Sequence, residues 1–138
     1  MSSMKDANLL TVAVATDDGK TYITRHFGDA RGYDLYGITD TSVTFLKRLS
    51  NTTEEDAGED VHGDAEKAKG IATILADHGV QITVSRVYGP NLKRIRKRFV
   101  CVIDQTGTIE QMLQGLQDMH AELIRQWSDS SERTLIRL

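Results

Sequence analysis

The segment His26-Phe27-Gly28 combines a side chain that ligates metals with a residue that lets the backbone approach a bulky group. Imidazole binds borderline and soft metals, and glycine has no Cβ to crowd a ligand. The segment ends a long polar stretch after the apolar run Leu9–Thr16, and long ordered loops are disproportionately functional. His26 is therefore a candidate metal ligand. The alternative is a surface loop in which Phe27 fills the core and His26 is solvated.

Two glycine-containing segments, His62-Gly63 and Gly89-Pro90-Asn91, each precede a predicted helix. Helix N-termini present unpaired N–H groups and the positive end of a dipole, which favours anionic ligands. Ordinary turn chemistry is the alternative for each segment taken singly. In the topology predicted below, the loop with Gly89 faces the same sheet edge as His26. We therefore expect the two loops to form one site.

A basic run follows Gly89 on a short predicted helix. Such a run can attract an anionic cluster, a nucleic acid or an acidic partner protein. The alternative is a solvated helix face, with Leu92, Ile95 and Phe99 turned inward. The cations of the run are Lys93, Arg94, Arg96, Lys97 and Arg98.

Four acidic residues could form a metal cluster of the kind that divalent-metal phosphoryl chemistry requires. The four are Asp17, Asp18, Asp34 and Asp104. Asp17 follows the first apolar strand and Asp104 follows the last, so these two could be neighbours. A hydrolase using Asp17, Asp34 and Asp104 is therefore one hypothesis. Plain turn chemistry explains the same residues, because Asp17-Asp18-Gly19 and the Asp-Gln-Thr-Gly segment at 104–107 are typical turns.

The remaining residues that could ligate a soft metal are predicted not to do so. Cys101 lies within the apolar run Phe99–Ile103, which indicates a buried, inert thiol. His78 and His120 have no partner at ligand spacing and are predicted to be surface residues.

Composition predicts a soluble, cytoplasmic protein with a single domain over residues 1–138. Of the 138 residues, 39% are hydrophobic and 27% charged, as in globular proteins. No apolar run approaches the ~18 residues of a membrane span, and the N-terminus lacks a signal-peptide core. One cysteine excludes an internal disulfide framework and a Cys-rich metal site. The net charge of −3 gives no general reason to expect nucleic-acid binding.

Hydrophobic patterning predicts an α/β fold with the order β-β-β-α-β-α-β-α. The second and third strands form an antiparallel hairpin at the edge of the sheet, and the other strands are parallel because helices connect them. The predicted strands are Leu9–Thr16, Tyr33–Ile38, Val43–Leu49, Gln81–Ser85 and Phe99–Ile103.

Helix signals place the remaining elements. A helix runs from Asp64 to a stop at Gly79, with Ala65, Ala68, Ile71, Ala72 and Leu75 on its apolar side. Thr108 and Gln111 form a capping box before the helical stripe Ile109–Ile124. The acidic segment Ser50–Val61 cannot bury enough apolar surface to order itself, which predicts a mobile surface loop.

The sequence resembles the dinitrogenase iron–molybdenum cofactor biosynthesis family over about residues 9–118. The resemblance rests on RHFGDARGYDLYGI, HGDAEKAKGIATILADHGVQITVSR and YGPNLKRIRKRFVCVI. It implies a ribonuclease-H-like fold with a five-stranded mixed sheet and three helices, without nuclease activity. Residues 119–138 form the helix end and a tail. The resemblance also implies binding of an iron–molybdenum or related metal–sulfur cluster, with cluster donor and acceptor proteins as partners. The family's histidine ligand falls on His26, and Phe27 and Gly28 match the rest of its motif.

The first functional hypothesis is a non-catalytic carrier or storage protein for a metal–sulfur cluster. His26 ligates a metal, and helix-entry amides and cations balance the negative charge of the cluster. The alternatives are the divalent-metal hydrolase and a regulatory module that binds a partner through the basic helix. The candidate cluster-binding residues are His26, Phe27, Gly28, His62, Gly89, Asn91, Lys93 and Arg94.

Overall fold

A computed structural model describes residues 9–23, 25–51, 63–105, 107–129 and 133–138, with backbone only at 63–69 and at Asn91. The described residues form a six-stranded mixed sheet in the order β3-β2-β1-β4-β5-β6. The strands are β1 (Leu10–Thr16), β2 (Gly32–Ile38), β3 (Val43–Ser50), β4 (Ile82–Ser85), β5 (Val100–Ile103) and β6 (Ile136–Arg137).

Strand β1 lies inside the sheet, antiparallel to β2 and parallel to β4. Its nearly continuous apolar sequence suits this place because both of its faces are covered. Val12 and Val14 belong to one core cluster, and Ala13 and Ala15 belong to the other. The predicted antiparallel hairpin of β2 and β3 and the parallel pairing of β1, β4 and β5 are confirmed.

Helices cover both faces of the sheet and make three layers. Helices α1 (Gly63–Asp77) and α2 (Leu92–Arg96) pack on the face that carries Ala13. Helices α3 (Ile109–Asp118) and α4 (His120–Ser128) pack on the face that carries Val12. Two predicted helix signals are confirmed: Gly79 adopts φ +76° after α1, and Thr108 and Gln111 form the capping box of α3.

The predicted counts of five strands and three helices are wrong. The helical stripe after Thr108 is two helices, because the backbone leaves helical geometry at Met119 (φ −110°, ψ 25°). A sixth strand, β6, pairs in parallel with β5 through Ile136 and Val102. His120 is also not a surface residue: it begins α4 and is 7% exposed. His78 is exposed, as predicted.

The C-terminal residues are held against the sheet and α4. The Leu138 amide donates to the Ile103 carbonyl at 2.9 Å. The Arg133 guanidinium lies 4.4 Å from the centre of the Trp127 ring and donates to the carbonyls of Trp127 and Lys97. These contacts explain how a tail with few apolar residues adds a strand.

Most of the predicted mobile loop Ser50–Val61 lies outside the described residues. Its first two residues are described, and they are ordered: Ser50 ends β3, and the Asn51 side chain is buried. None of the helices in the described ranges is both long and apolar enough to span a lipid bilayer.

Candidate functional site

A buried aromatic ring anchors the loop that carries His26. Phe27 begins a 3-10 turn, Phe27–Asp29, and is 1% exposed. Its ring centre lies 5.3 Å from that of Tyr88, in a stacked arrangement, and 5.1 Å from that of Tyr33. Phe27 thus fills the core, as one interpretation of the sequence held, and this packing fixes the backbone from which the exposed His26 side chain projects.

Three side-chain hydrogen bonds hold the backbone of the same turn and of the residue that follows it. The Tyr33 hydroxyl donates to the Phe27 carbonyl at 2.7 Å. The buried Asn51 amide donates to the carbonyls of Gly28 at 3.0 Å and Ala30 at 2.8 Å. Because hydrogen-bonded buried amides resist displacement, the turn is a rigid platform for His26.

The His26 ring rests directly on the backbone of Gly89. A Cβ added to Gly89 would lie 2.5 Å from His26 Nδ1 and 2.6 Å from Cγ, closer than van der Waals contact allows. Gly89 also adopts φ +78°, a conformation that favours glycine. The predicted convergence of the two loops is therefore confirmed.

The other side of the His26 loop is open. His26 is exposed, and a Cβ added to Gly28 would meet no atom within 4 Å in the described part of the chain. The glycine at this position is therefore not required by neighbouring protein atoms. Among the described residues, none occupies the space on this side of the Gly28 backbone.

The segment after Gly89 carries several cations, and one of its amides is already engaged within the turn. The Leu92 amide donates to the Gly89 carbonyl inside the turn Gly89–Asn91. Helix α2 has only five residues, so its dipole is small. Lys93 and Arg94 are exposed, whereas Ile95 is buried, as the amphipathic pattern predicts. The other predicted helix entry, at His62, lies outside the described residues.

The candidate hydrolase carboxylates have separate partners. Asp17 accepts two hydrogen bonds from Arg25 Nη2 at 2.8 and 2.9 Å and one from the Arg31 amide. Burial raises the pKa of Asp17, but these hydrogen bonds outweigh it and hold the pKa below its ordinary value. Asp104 accepts from the Tyr22 hydroxyl at 2.7 Å on the α3 side of the sheet.

Asp18 and Asp34 are also engaged locally. Asp18 accepts the amides of Lys20 and Thr21, as in a turn. Burial raises the pKa of Asp34, and Arg48, whose Nε lies 3.7 Å from Oδ1, offsets this only in part. Across the described ranges, no three His, Cys, Asp or Glu side chains are grouped as metal ligands. The structure therefore does not bring the hydrolase residues together.

Cys101 lies in the core with two hydroxyl groups. Its side chain is fully buried, as predicted, and its Sγ accepts from Thr83 Oγ1 at 3.6 Å. The Tyr88 hydroxyl lies 3.0 Å from the same Thr83 oxygen. Burial raises the pKa of the Cys101 thiol to about 11, so the thiol is neutral at physiological pH.

We expect the Cys101 thiol of the native protein to react slowly with a thiol reagent at pH 8. Only the thiolate reacts, and here it is both suppressed and shielded. The measurement is the rate of labelling by a chromogenic disulfide, first in buffer and then in denaturing urea, where the rate should rise at least tenfold. Equal rates in the two solutions would show that the thiol is accessible and would contradict the core assignment.

Sequence reasoning missed the residues that support the site. Tyr88 stacks on Phe27 and precedes Gly89, so an aromatic residue before a Gly-Pro turn was an available signal. Asn51 stands in a polar acidic stretch, and no sequence signal marks it as a buried clamp. Arg25 precedes His26 in the chain, and its contact with Asp17 depends on the course of the loop.

A cavity of about 620 Å³ lies on the opposite face of the sheet from His26. Loop residue Lys20, strand residue Tyr36 and helix residues Ile109 and Leu113 contribute to its walls. It shares no residue with the His26 surface. This cavity is therefore separate from the candidate site.

A protein-family model described as "Dinitrogenase iron-molybdenum cofactor" matches residues 8–119, which include β1 to β5 and both converging loops. Among curated proteins, none matches the chain.

Proposed function

Since the chain belongs to the dinitrogenase iron–molybdenum cofactor family, we propose that it binds and carries a preformed metal–sulfur cluster on the surface formed by His26 and Gly89. One observation supports this most directly: the exposed imidazole lies against a glycine from a distant loop, on a turn that is anchored in the core. The proposed role is non-catalytic. The cluster is cargo, received from a donor protein and passed to an acceptor in the cytoplasm.

His26 supplies one metal ligand in this proposal. Neutral imidazole ligates metals through a ring nitrogen, and a rigid support orients that nitrogen before binding. Because the described residues offer no group of three ligands, a cluster whose metals are already satisfied by sulfide fits this surface better than bare ions. The open side of Gly28 leaves space for such a cluster.

Cationic side chains would balance the charge of the cargo. Sulfidic clusters are anionic, and a positive surface raises their local concentration. Lys93 and Arg94 are exposed on α2, directly after the turn that contacts His26. Gly89 is part of the proposed surface, and His62 and Asn91 stay predicted members of it.

The proposal includes a fold of the ribonuclease-H-like type, extended by β6. Its support is the antiparallel hairpin β2–β3 beside the parallel strands β1, β4 and β5.

We expect His26→Ala to weaken cluster binding at least tenfold, or by roughly 1.4 kcal/mol. The free energy of unfolding should change by less than about 1 kcal/mol, because the replaced side chain is exposed. The measurement is an anaerobic titration with an iron–molybdenum–sulfur cluster prepared from tetrathiomolybdate and iron(II), followed by visible absorbance.

The matched control is His78→Ala, which removes another exposed imidazole beyond the end of α1. It should bind the cluster as tightly as the wild type. Unchanged cluster affinity in His26→Ala would show that His26 is not a metal ligand. The turn would then serve only to place Phe27 in the core.

A further inference from the structure

We propose that the exposed cations of residues 86–98 form a docking surface for an acidic protein, and that this protein exchanges cargo with the His26 site. The exchange rests on the proposed function, whereas the docking itself does not. We call this surface the basic stripe, and its exposed members are Arg86, Lys93, Arg94, Lys97 and Arg98.

The stripe concentrates positive charge in a chain that is acidic overall. Residues 86–98 contain six of the 17 Lys and Arg residues and no Asp or Glu, although the net charge of the chain is −3. Elsewhere the described ion pairs neutralise cations, as at Arg25, Arg48 and Arg125. Among the carboxylates whose side chains the structure describes, none forms an ion pair with a cation of the stripe. A charged surface of this kind steers an oppositely charged partner.

The fold gives the stripe a defined shape that begins beside His26. Gly89, which contacts the His26 ring, lies between Arg86 and α2. The buried Ile95 and Phe99 hold α2 on the sheet. At its far end, Arg98 Nη1 donates to Thr73 Oγ1 of α1 at 3.3 Å. A partner lying along the stripe would therefore reach the candidate cluster site.

The stripe fits an acidic protein better than a nucleic acid. The only aromatic residue of the segment, Tyr88, is buried, so no ring in the stripe can stack on a base. Helix α2 has five residues, which is short for a helix that reads the major groove.

The test compares two double variants that change charge equally. Arg86→Glu with Lys97→Glu reverses two stripe cations outside the proposed cluster site. Lys20→Glu with Lys47→Glu reverses two exposed lysines elsewhere. The probe is a fluorescein-labelled polyglutamate peptide of about 20 residues, and a duplex with about the same number of phosphates is its counterpart. Fluorescence anisotropy is measured at low salt and again at about 200 mM salt.

We expect the stripe variant to bind the peptide at least tenfold more weakly than the wild type, and the control variant less than threefold more weakly. Added salt should weaken peptide binding by the wild type, because these charges are exposed. Equal losses of peptide affinity in both variants would show that only the overall charge of the protein matters, and would overturn the proposal. Tighter binding of the duplex than of the peptide would assign the surface to nucleic acid and also overturn it.

Cluster titration distinguishes the docking proposal from the proposed cluster-binding function. The stripe variant should still take up the cluster, and His26→Ala should still bind the peptide. If His26→Ala kept its cluster affinity while the stripe variant lost peptide binding, the docking surface would stand without the cargo role. If the stripe variant bound the peptide as tightly as the wild type, the docking proposal would be wrong, whatever the cluster titration showed.

Discussion

Replacing Phe27 by alanine is expected to lower the free energy of unfolding by about 3–5 kcal/mol. The ring is fully enclosed between Tyr33 and Tyr88, and its removal leaves a cavity that the two neighbouring rings cannot fill without moving. Urea denaturation followed by circular dichroism measures the loss. Cluster affinity should fall as well, because the turn that orients His26 loses its anchor.

The control for this variant is Phe45→Ala. Phe45 is 55% exposed on edge strand β3, where it contacts Tyr36 edge-on. The same chemical change should therefore cost less than about 1 kcal/mol there. Similar losses at the two positions would mean that Phe27 is not the core anchor of the site.

The second large effect is expected for Gly89→Ala, which should weaken cluster binding at least tenfold and also destabilise the fold. The new methyl group would overlap the His26 ring at 2.5 Å, so the ring must turn away. The positive φ adds strain of about 1–2 kcal/mol for a residue other than glycine. Anaerobic cluster titration and urea denaturation measure the two effects separately.

Gly79→Ala isolates the contribution of the His26 contact. Gly79 adopts φ +76°, nearly the same as Gly89, but an added Cβ would meet nothing within 4 Å in the described structure. Both variants should therefore lose a similar part of their stability through backbone strain. Only Gly89→Ala should lose cluster affinity. Equal affinities in the two variants would show that the position of the His26 ring does not matter for binding.

The sheet could be predicted from the sequence because its signals are local and strong. The apolar run in β1, the short connection of β2 and β3, and the capping box at Thr108 each specify an element without reference to the rest of the chain. The lengths of the connections between strands then predict which strands are parallel. This topology places His26 and Gly89 at the same edge of the sheet. The meeting of the two loops could thus be predicted.

The support of the site could not be predicted, because it consists of contacts between distant residues. The Asn51 clamp depends on how β3 ends beside the turn at Gly28. The burial of His120 depends on the break at Met119, in a stretch whose residues favour an unbroken helix. Strand β6 has two residues, and its pairing with β5, rather than its own composition, makes it a strand.

Strand β6 also covers part of one edge of the sheet. Without it, the sheet would end at β5, a strand of apolar residues whose outward N–H and C=O groups would be open to another chain. Exposed apolar edges of this kind template aggregation. Pairing of Ile136 and Arg137 with β5 replaces that edge with a two-residue strand that carries a cation, and both shortness and charge discourage further pairing. The residues of β6 lie beyond the matched range 8–119.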